Sequence, residues 1–193
     1  MHDNGIANSI PALNETLFQY RQVIASCKDL FLRKVADYGT SWRVLRPISI
    51  VDQIYIKAWR IRQIQEKGVQ LIEDSIASEF VGIVNYGIIA LVQEDAQDDE
   101  AWEWPVETAA DAYEAQALKI EALMLEKNHD YGEAWRDMSE ESLVDLILVK
   151  LMRIKQIIAN RGATQVSEGA DANFRDIVNY AIFALIKISE EGR

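Results

Sequence analysis

The chain predicts an all-α fold: two tandem three-helix repeats packed as one pseudo-twofold bundle. Three observations lead there. First, KVADYGTSWR (34–43) returns as KNHDYGEAWR (127–136), and the register holds well beyond those stretches. At one constant offset Tyr20 matches Tyr113, Val51-Asp52 matches Val144-Asp145, and Lys57, Arg60, Gln63 and Ile64 match Lys150, Arg153, Gln156 and Ile157. After a single inserted residue Phe80 matches Phe174, and IVNY at 83–86 matches IVNY at 177–180. Chance does not keep such a register, and self-similarity of this kind marks a duplicated structural unit. Second, apolar residues recur at helical spacing, as in Leu17, Tyr20, Ile24, Cys27 and Phe31. Third, strand-like alternation is absent.

Residues 1–13 read as a flexible leader. Repeat 1 spans 14–93, an acidic linker spans 94–106, and repeat 2 spans 107–190. The first helix is expected from about Asn14 to Asp37 and its counterpart from about Thr108 to Asp130, with Pro105 leading in and Thr108/Asp111 at capping-box-like spacing. In the D-Y-G that follows each, Gly39 and Gly132 are expected as left-handed stop residues, Trp42 and Trp135 as core latches, and Lys34 and Lys127 as cations favoured by the helix dipole. The second helices are expected after Ser49 and Ser142, ending near Gly68 and Gly162. The third cover about Glu79–Gln93 and Ala172–Ser189. The linker QEDAQDDEAWEWP is read as a solvated connector pinned by Trp102 or Trp104.

Composition narrows the function. Hydrophobic residues make up 49% of the 193, enough for a real core. A net charge of −11 argues against non-specific binding to nucleic-acid backbones, which needs a surplus of Lys and Arg, but leaves room for a local cationic pocket. No run of 18 apolar residues suggests a membrane span, and the first residues do not read as a secretory signal. The single Cys27 suits a reducing cytoplasm, where the protein is expected. One Cys and two His leave no basis for a zinc site or Cys–His catalysis, and there is neither a P-loop nor a dinucleotide-binding glycine motif.

The second helix of repeat 2, SLVDLILVKLMRIKQII (142–158), is apolar almost all round, as buried helices are. Its interruptions fall in one sector of about 140°, holding Asp145, Gln156, Arg153 and Lys150, matched in repeat 1 by Asp52, Gln63, Arg60 and Lys57. Asp176, Asn179 and Tyr180 share a face of the last helix. Buried charges must be paired or liganded, so two readings stay open. One is an internal network in which Asp52 and Asp145 pair with Arg60, Arg153 or their symmetry mates. The other is a cleft in which Lys57, Arg60, Lys150 and Arg153 hold phosphate, Arg as a planar fork and Lys as a mobile point charge. The acids differ between copies: Glu79 faces Asn173, and Gly82 faces Asp176.

The DYG-xx-WR, D-x4-K-xx-R and IVNY elements, in DYGTSWRVLRP, DQIYIKAWRIRQIQ, EFVGIVNYG and their second copies, resemble the bacterial tandem form of the nucleotide modification associated domain 1 family across about residues 17–190. The helical layout is also similar to MazG-like all-α nucleoside triphosphate pyrophosphatases. Those hold magnesium through E-x-x-E and E-x-x-D, where this chain has D-x4-K-xx-R and split acids. The resemblance implies a fused dimer with a link to modified nucleotides; a homo-oligomer of the fused chain stays open. The leading expectation is a nucleotide-binding protein acting as a Mg2+-dependent nucleoside phosphate hydrolase. Glu79, Asp145, Glu168 and Asp176 would hold the metal, and Asn85, Tyr86, Asn179 and Tyr180 would orient the ligand. Lys34, Asp37, Tyr38 and Arg43, with Lys127, Asp130, Tyr131 and Arg136, would form its rim. No catalytic residue is assigned. The rival expectation is a non-enzymatic helical scaffold or partner-binding protein whose polar stripes are internal salt bridges.

Overall fold

The computed structural model describes the backbone of residues 6–96, 101–164 and 168–192, with side chains from Glu15 onward. Six α-helices follow one another: α1 Ile6–Tyr38, α2 Pro47–Lys67, α3 Ile76–Asp95, α4 Val106–Tyr131, α5 Glu140–Ala159 and α6 Ala170–Glu191. Short 3-10 turns, Ser41–Val44 and Ala134–Asp137, join α1 to α2 and α4 to α5. No strand occurs among the described residues.

The helix ends follow local chemistry. Gly39 and Gly132 both take positive φ, +66° and +62°, a conformation in which a Cβ is strained. The Gly39 amide closes α1 by donating to the Val35 carbonyl at 2.8 Å. Ser75 and Ser139 cap α3 and α5, each hydroxyl accepting a backbone N–H three residues on, from Ser78 and Ser142. Several starts differ from expectation. Ser139, not Ser142, caps α5, and Pro47 at the first position starts α2 before Ser49, because its fixed φ suits a helix entry. Pro105 stands in the cap position of α4, so Thr108 lies inside the first turn and caps nothing. The backbone is already helical at Ile6, within the stretch read as a leader.

The repeats are interlocked rather than laid side by side. α2 packs on its own counterpart α5, α3 on α6, and α1 on α4; α1 also crosses onto α6 as α4 crosses onto α3. Exchanging the repeats therefore returns the same set of contacts, which is the pseudo-twofold arrangement. Ile54 and Ile61 of α2, Ile147 and Ile154 of α5, Phe80, Ile83 and Ile88 of α3, and Ile177 and Ile182 of α6 are fully buried in one continuous core. At the axis the helices approach so closely that a Cβ on Gly87 would stand 2.5 Å from Val178 Cγ2. Two buried hydrogen bonds repeat the symmetry. Tyr20 Oη donates to Asn179 Oδ1 at 2.7 Å, and Tyr113 Oη donates to Asn85 Oδ1 at 2.8 Å. Each tyrosine thus reaches from one repeat into the IVNY segment of the other. Helix α3 is long and apolar enough to cross a bilayer, but 61% of its most apolar window is buried inside the bundle.

Candidate functional site

The polar stripes of α2 and α3 meet, as do those of α5 and α6, and the acids they share are buried. In repeat 1 Glu79, 8% exposed, receives Lys57 Nζ at 3.1 Å on one oxygen and Arg60 on the other. Arg60 also donates to the carbonyl oxygens of Asp74, at 2.9 Å, and Ile72, at 3.3 Å, tying the loop before α3 to α2. In repeat 2 the acid sits one helical turn later. Asp176, 5% exposed, receives Lys150 Nζ at 2.6 Å on one oxygen and Lys127, from the end of α4, on the other. Burial disfavours the charge on Lys127, but the hydrogen bond and charge of Asp176 outweigh it and raise its pKa. Burial and the same carboxylate push the Tyr180 phenol upward.

The one-turn displacement changes the space around the lysines. Asn173, at the position of Glu79, turns its amide to the Gly169 carbonyl, and Arg153 is exposed with no ion-pair partner among the described residues. Gly82, at the position of Asp176, leaves room that the Lys57 stem occupies: a Cβ there would meet Lys57 Cε at 2.6 Å. Lys34, the counterpart of Lys127, is exposed and pairs with no acid among the described residues.

Beside Gly82 lies a cavity of about 380 Å³ lined by Lys34, Tyr38, Trp42, Gln53, Lys57, Ser78, Asn85, Tyr86 and Ile89. Helix α1 supplies Lys34 and Tyr38, the 3-10 turn supplies Trp42, and α2 and α3 supply the remainder. The corner after α1 thus brings an aromatic latch and a lysine to the edge of the buried charge cluster. At the positions of Trp42 and Ile89, repeat 2 has Trp135 and Phe183, stacked with centroids 4.3 Å apart and planes 7° off parallel. Trp135 is buried, whereas Trp42 is half-buried. Both indole Nε1 atoms lack a hydrogen-bond partner among the described residues, so that feature does not distinguish the repeats.

Several expected site residues are engaged in contacts within the fold. Arg43 stacks over Trp104, 4.1 Å from the ring centroid, and donates to Gln93 and to the Ala101 carbonyl, so Trp104, not the exposed Trp102, pins the linker. Arg136 lies over Trp135 and donates to Glu133, Glu190, Thr16 and Gln19, fastening the second corner to α1 and α6. Asn179 accepts from Tyr20, while its buried Nδ2 has no hydrogen-bond partner among the described residues; Asn85 accepts from Tyr113 and donates to the Cys27 carbonyl, so both amide oxygens serve the twofold clamps. Asp37 is exposed, Asp130 lies beside His129, and Tyr131 points largely to solvent. The four acids expected around a metal do not converge. Glu79 and Asp176 are taken by cations, Glu168 is exposed, and Asp145 pairs with Arg62 at 3.4 Å across the α2–α5 surface. Its symmetry mate Asp52 pairs with Lys155 at 2.7 Å, so the aspartates of this stripe meet Arg62 and Lys155 rather than Arg60 and Arg153. The described residues contain no group of three His, Cys, Asp or Glu placed to hold a metal ion.

Two contributors went unnoticed in the sequence. Gln93 donates to the carbonyls of Trp42, Arg43 and Leu45, and Lys187, at the equivalent position, donates to the Arg136 carbonyl at 2.6 Å. Both hold the 3-10 corners from the third helix; their matched positions, one residue past the common register, were the available signal.

The family model described as Nucleotide modification associated domain 1 matches residues 34–93 and 127–188, one segment in each repeat. No curated protein and no solved structure matches the chain.

Proposed function

The chain belongs to the nucleotide modification associated domain 1 family, and on that premise we propose that it binds a nucleotide in the repeat 1 cavity. One observation carries the reading: two lysines, Lys34 and Lys57, and three aromatic side chains, Tyr38, Trp42 and Tyr86, converge on one cavity of about 380 Å³. That volume lies in the range of small-molecule sites, which pair an apolar lining with a few placed polar groups. Aromatic faces suit a base, and ammonium groups on flexible stems suit phosphate oxygens. A cationic cavity in a chain of net charge −11 is a local exception to the protein's field.

Magnesium enters this reading with the nucleotide. Glu79 and Asp176 are neutralised by cations in the folded protein, so their oxygens are poor vacant ligands, and a Mg2+ ion would arrive coordinated to the phosphates. Hydrolysis of the bound nucleotide, the activity of the MazG-like enzymes that the helical layout suggested, is the finer form of the proposal. The rival reading, a scaffold whose lysines only neutralise buried acids, draws on the same ion pairs. Lys34 is what it leaves unexplained.

A thermal-shift screen against the common ribo- and deoxyribonucleotides, with and without magnesium, tests the proposal. At least one nucleotide is expected to raise the melting temperature. Lys34→Ala should melt like wild type alone and lose that rise. Phosphate or pyrophosphate release in the same samples reads hydrolysis. If no nucleotide shifts the transition, the scaffold reading stands.

A further inference from the structure

The two repeats carry the same pair of lysines but treat them differently. In repeat 2, Lys127 and Lys150 grip one carboxylate, Asp176, between them. This is an anion site with the protein's own anion in it. In repeat 1 the equivalent lysines, Lys34 and Lys57, both line the cavity, but position 82 is glycine. Glu79, one turn earlier on α3, takes Lys57 and Arg60, and Lys34 is left without an acid among the described residues. The aromatic half of the site shows the same contrast. Phe183 lies flat on Trp135, as a base would lie on an indole, whereas Ile89 at that position leaves Trp42 along the cavity wall.

We propose that repeat 1 is the ligand-binding half and repeat 2 a self-occupied copy, with Asp176 standing where a ligand phosphate sits in repeat 1 and Phe183 where its base sits. For the identity of the ligand this rests on the nucleotide reading above; the anion site itself does not. The consequence is one ligand per chain despite two matched domains. The phosphate position lies between Lys34 and Lys57 beside Gly82, in the room that the Lys57 stem takes in the unliganded fold and leaves by swinging out. Charge-assisted hydrogen bonds from two ammonium groups would hold it there.

The test is isothermal titration of the full chain with inorganic pyrophosphate, and separately with each of the eight common nucleoside triphosphates. Wild type, Gly82→Asp, Lys34→Ala and Asp176→Gly are compared. Gly82→Asp supplies repeat 1 with an internal anion; its Cβ meets only the flexible end of Lys57, which can swing aside. The expected results are one pyrophosphate per wild-type chain, weakened about tenfold or more in Gly82→Asp and in Lys34→Ala. Asp176→Gly should gain a second site. Lys34→Ala and Asp176→Gly decide the matter if Gly82→Asp does not fold, as judged by circular dichroism. Two equivalent sites in wild type, unchanged binding in both Gly82→Asp and Lys34→Ala, or no binding of any probe would overturn the proposal. Pyrophosphate binding as described with no response to nucleotides would retain the asymmetry and remove the nucleotide reading. Nucleotide binding indifferent to Gly82→Asp and Lys34→Ala would do the reverse.

Discussion

Asp176 and Glu79 show how one buried carboxylate organises its surroundings. A carboxylate out of water is costly unless fully paired, and each of these acids has a cation on both oxygens. Asp176→Asn removes the charge and keeps the shape, leaving Lys150 with a buried ammonium and no acid. The expected loss is about 2–3 kcal/mol by denaturant melt, below the value for a fully sealed pair because Lys127 is half exposed. Cys27 is a second residue-scale test. Burial pushes its thiol up to about 12, so little thiolate exists near neutral pH. Native protein at pH 8 should resist a disulfide-exchange reagent and react fully once unfolded in urea; rapid labelling of the native state would contradict the packing of α1. Angular spread explains why Asp145 and Lys150 part company: the far edges of their shared helical sector are about 140° apart, so they face different helices. Asp145 turns to α2 and Lys150 to α6.

At the scale of the element, the glycine corners after α1 and α4 are where sequence and structure agree best. The glycines after α1 and α4 were readable from D-Y-G because few residues tolerate positive φ. The arginines of the same motif were not, since their partners lie far along the chain: Ala101 for Arg43, and Thr16 and Glu190 for Arg136. That second corner makes a pH prediction. Partial burial pushes the Glu190 carboxyl upward, but hydrogen bonds from Gln19 and Arg136 and the charge of Arg136 outweigh it and hold its pKa below the usual glutamate value. A depressed carboxyl stabilises the fold above its unfolded pKa of about 4.3, and that contribution is lost as pH falls through the folded value. Glu190→Gln should therefore lower the melting temperature at pH 7 and flatten its decline below pH 4. Where α3 meets α6, Gly87→Ala is expected to cost about 1–3 kcal/mol, because the new methyl has nowhere to go but into Val178. A neutral result in a denaturant melt would mean the axis is looser than described.

For the whole molecule, the duplication predicted the helix count and the pseudo-twofold bundle, because a repeated unit cannot bury its apolar face alone; which helices pair across the axis came from the fold. The exchanged bonds Tyr20–Asn179 and Tyr113–Asn85 cross between halves, so neither repeat completes its core alone. Thermal unfolding is expected as a single cooperative transition. Two separate transitions would show that the halves are independent. The candidate site was only half readable. Lys57, Lys150 and their stripe could be found from the register, and so could the exchange of Glu79 and Gly82 for Asn173 and Asp176. What that exchange does to the space beside Lys34 depends on side chains from three elements, and only the fold brings those together. The claim at the centre is that the halves have diverged into one ligand site and one self-filled copy. A crystal structure grown with a brominated nucleoside triphosphate tests it most directly. The bromine signal is expected against Tyr38 and Trp42, with phosphate between Lys34 and Lys57 and no nucleotide in repeat 2. Nucleotide in both repeats, or bound away from the repeat 1 cavity, would contradict the account.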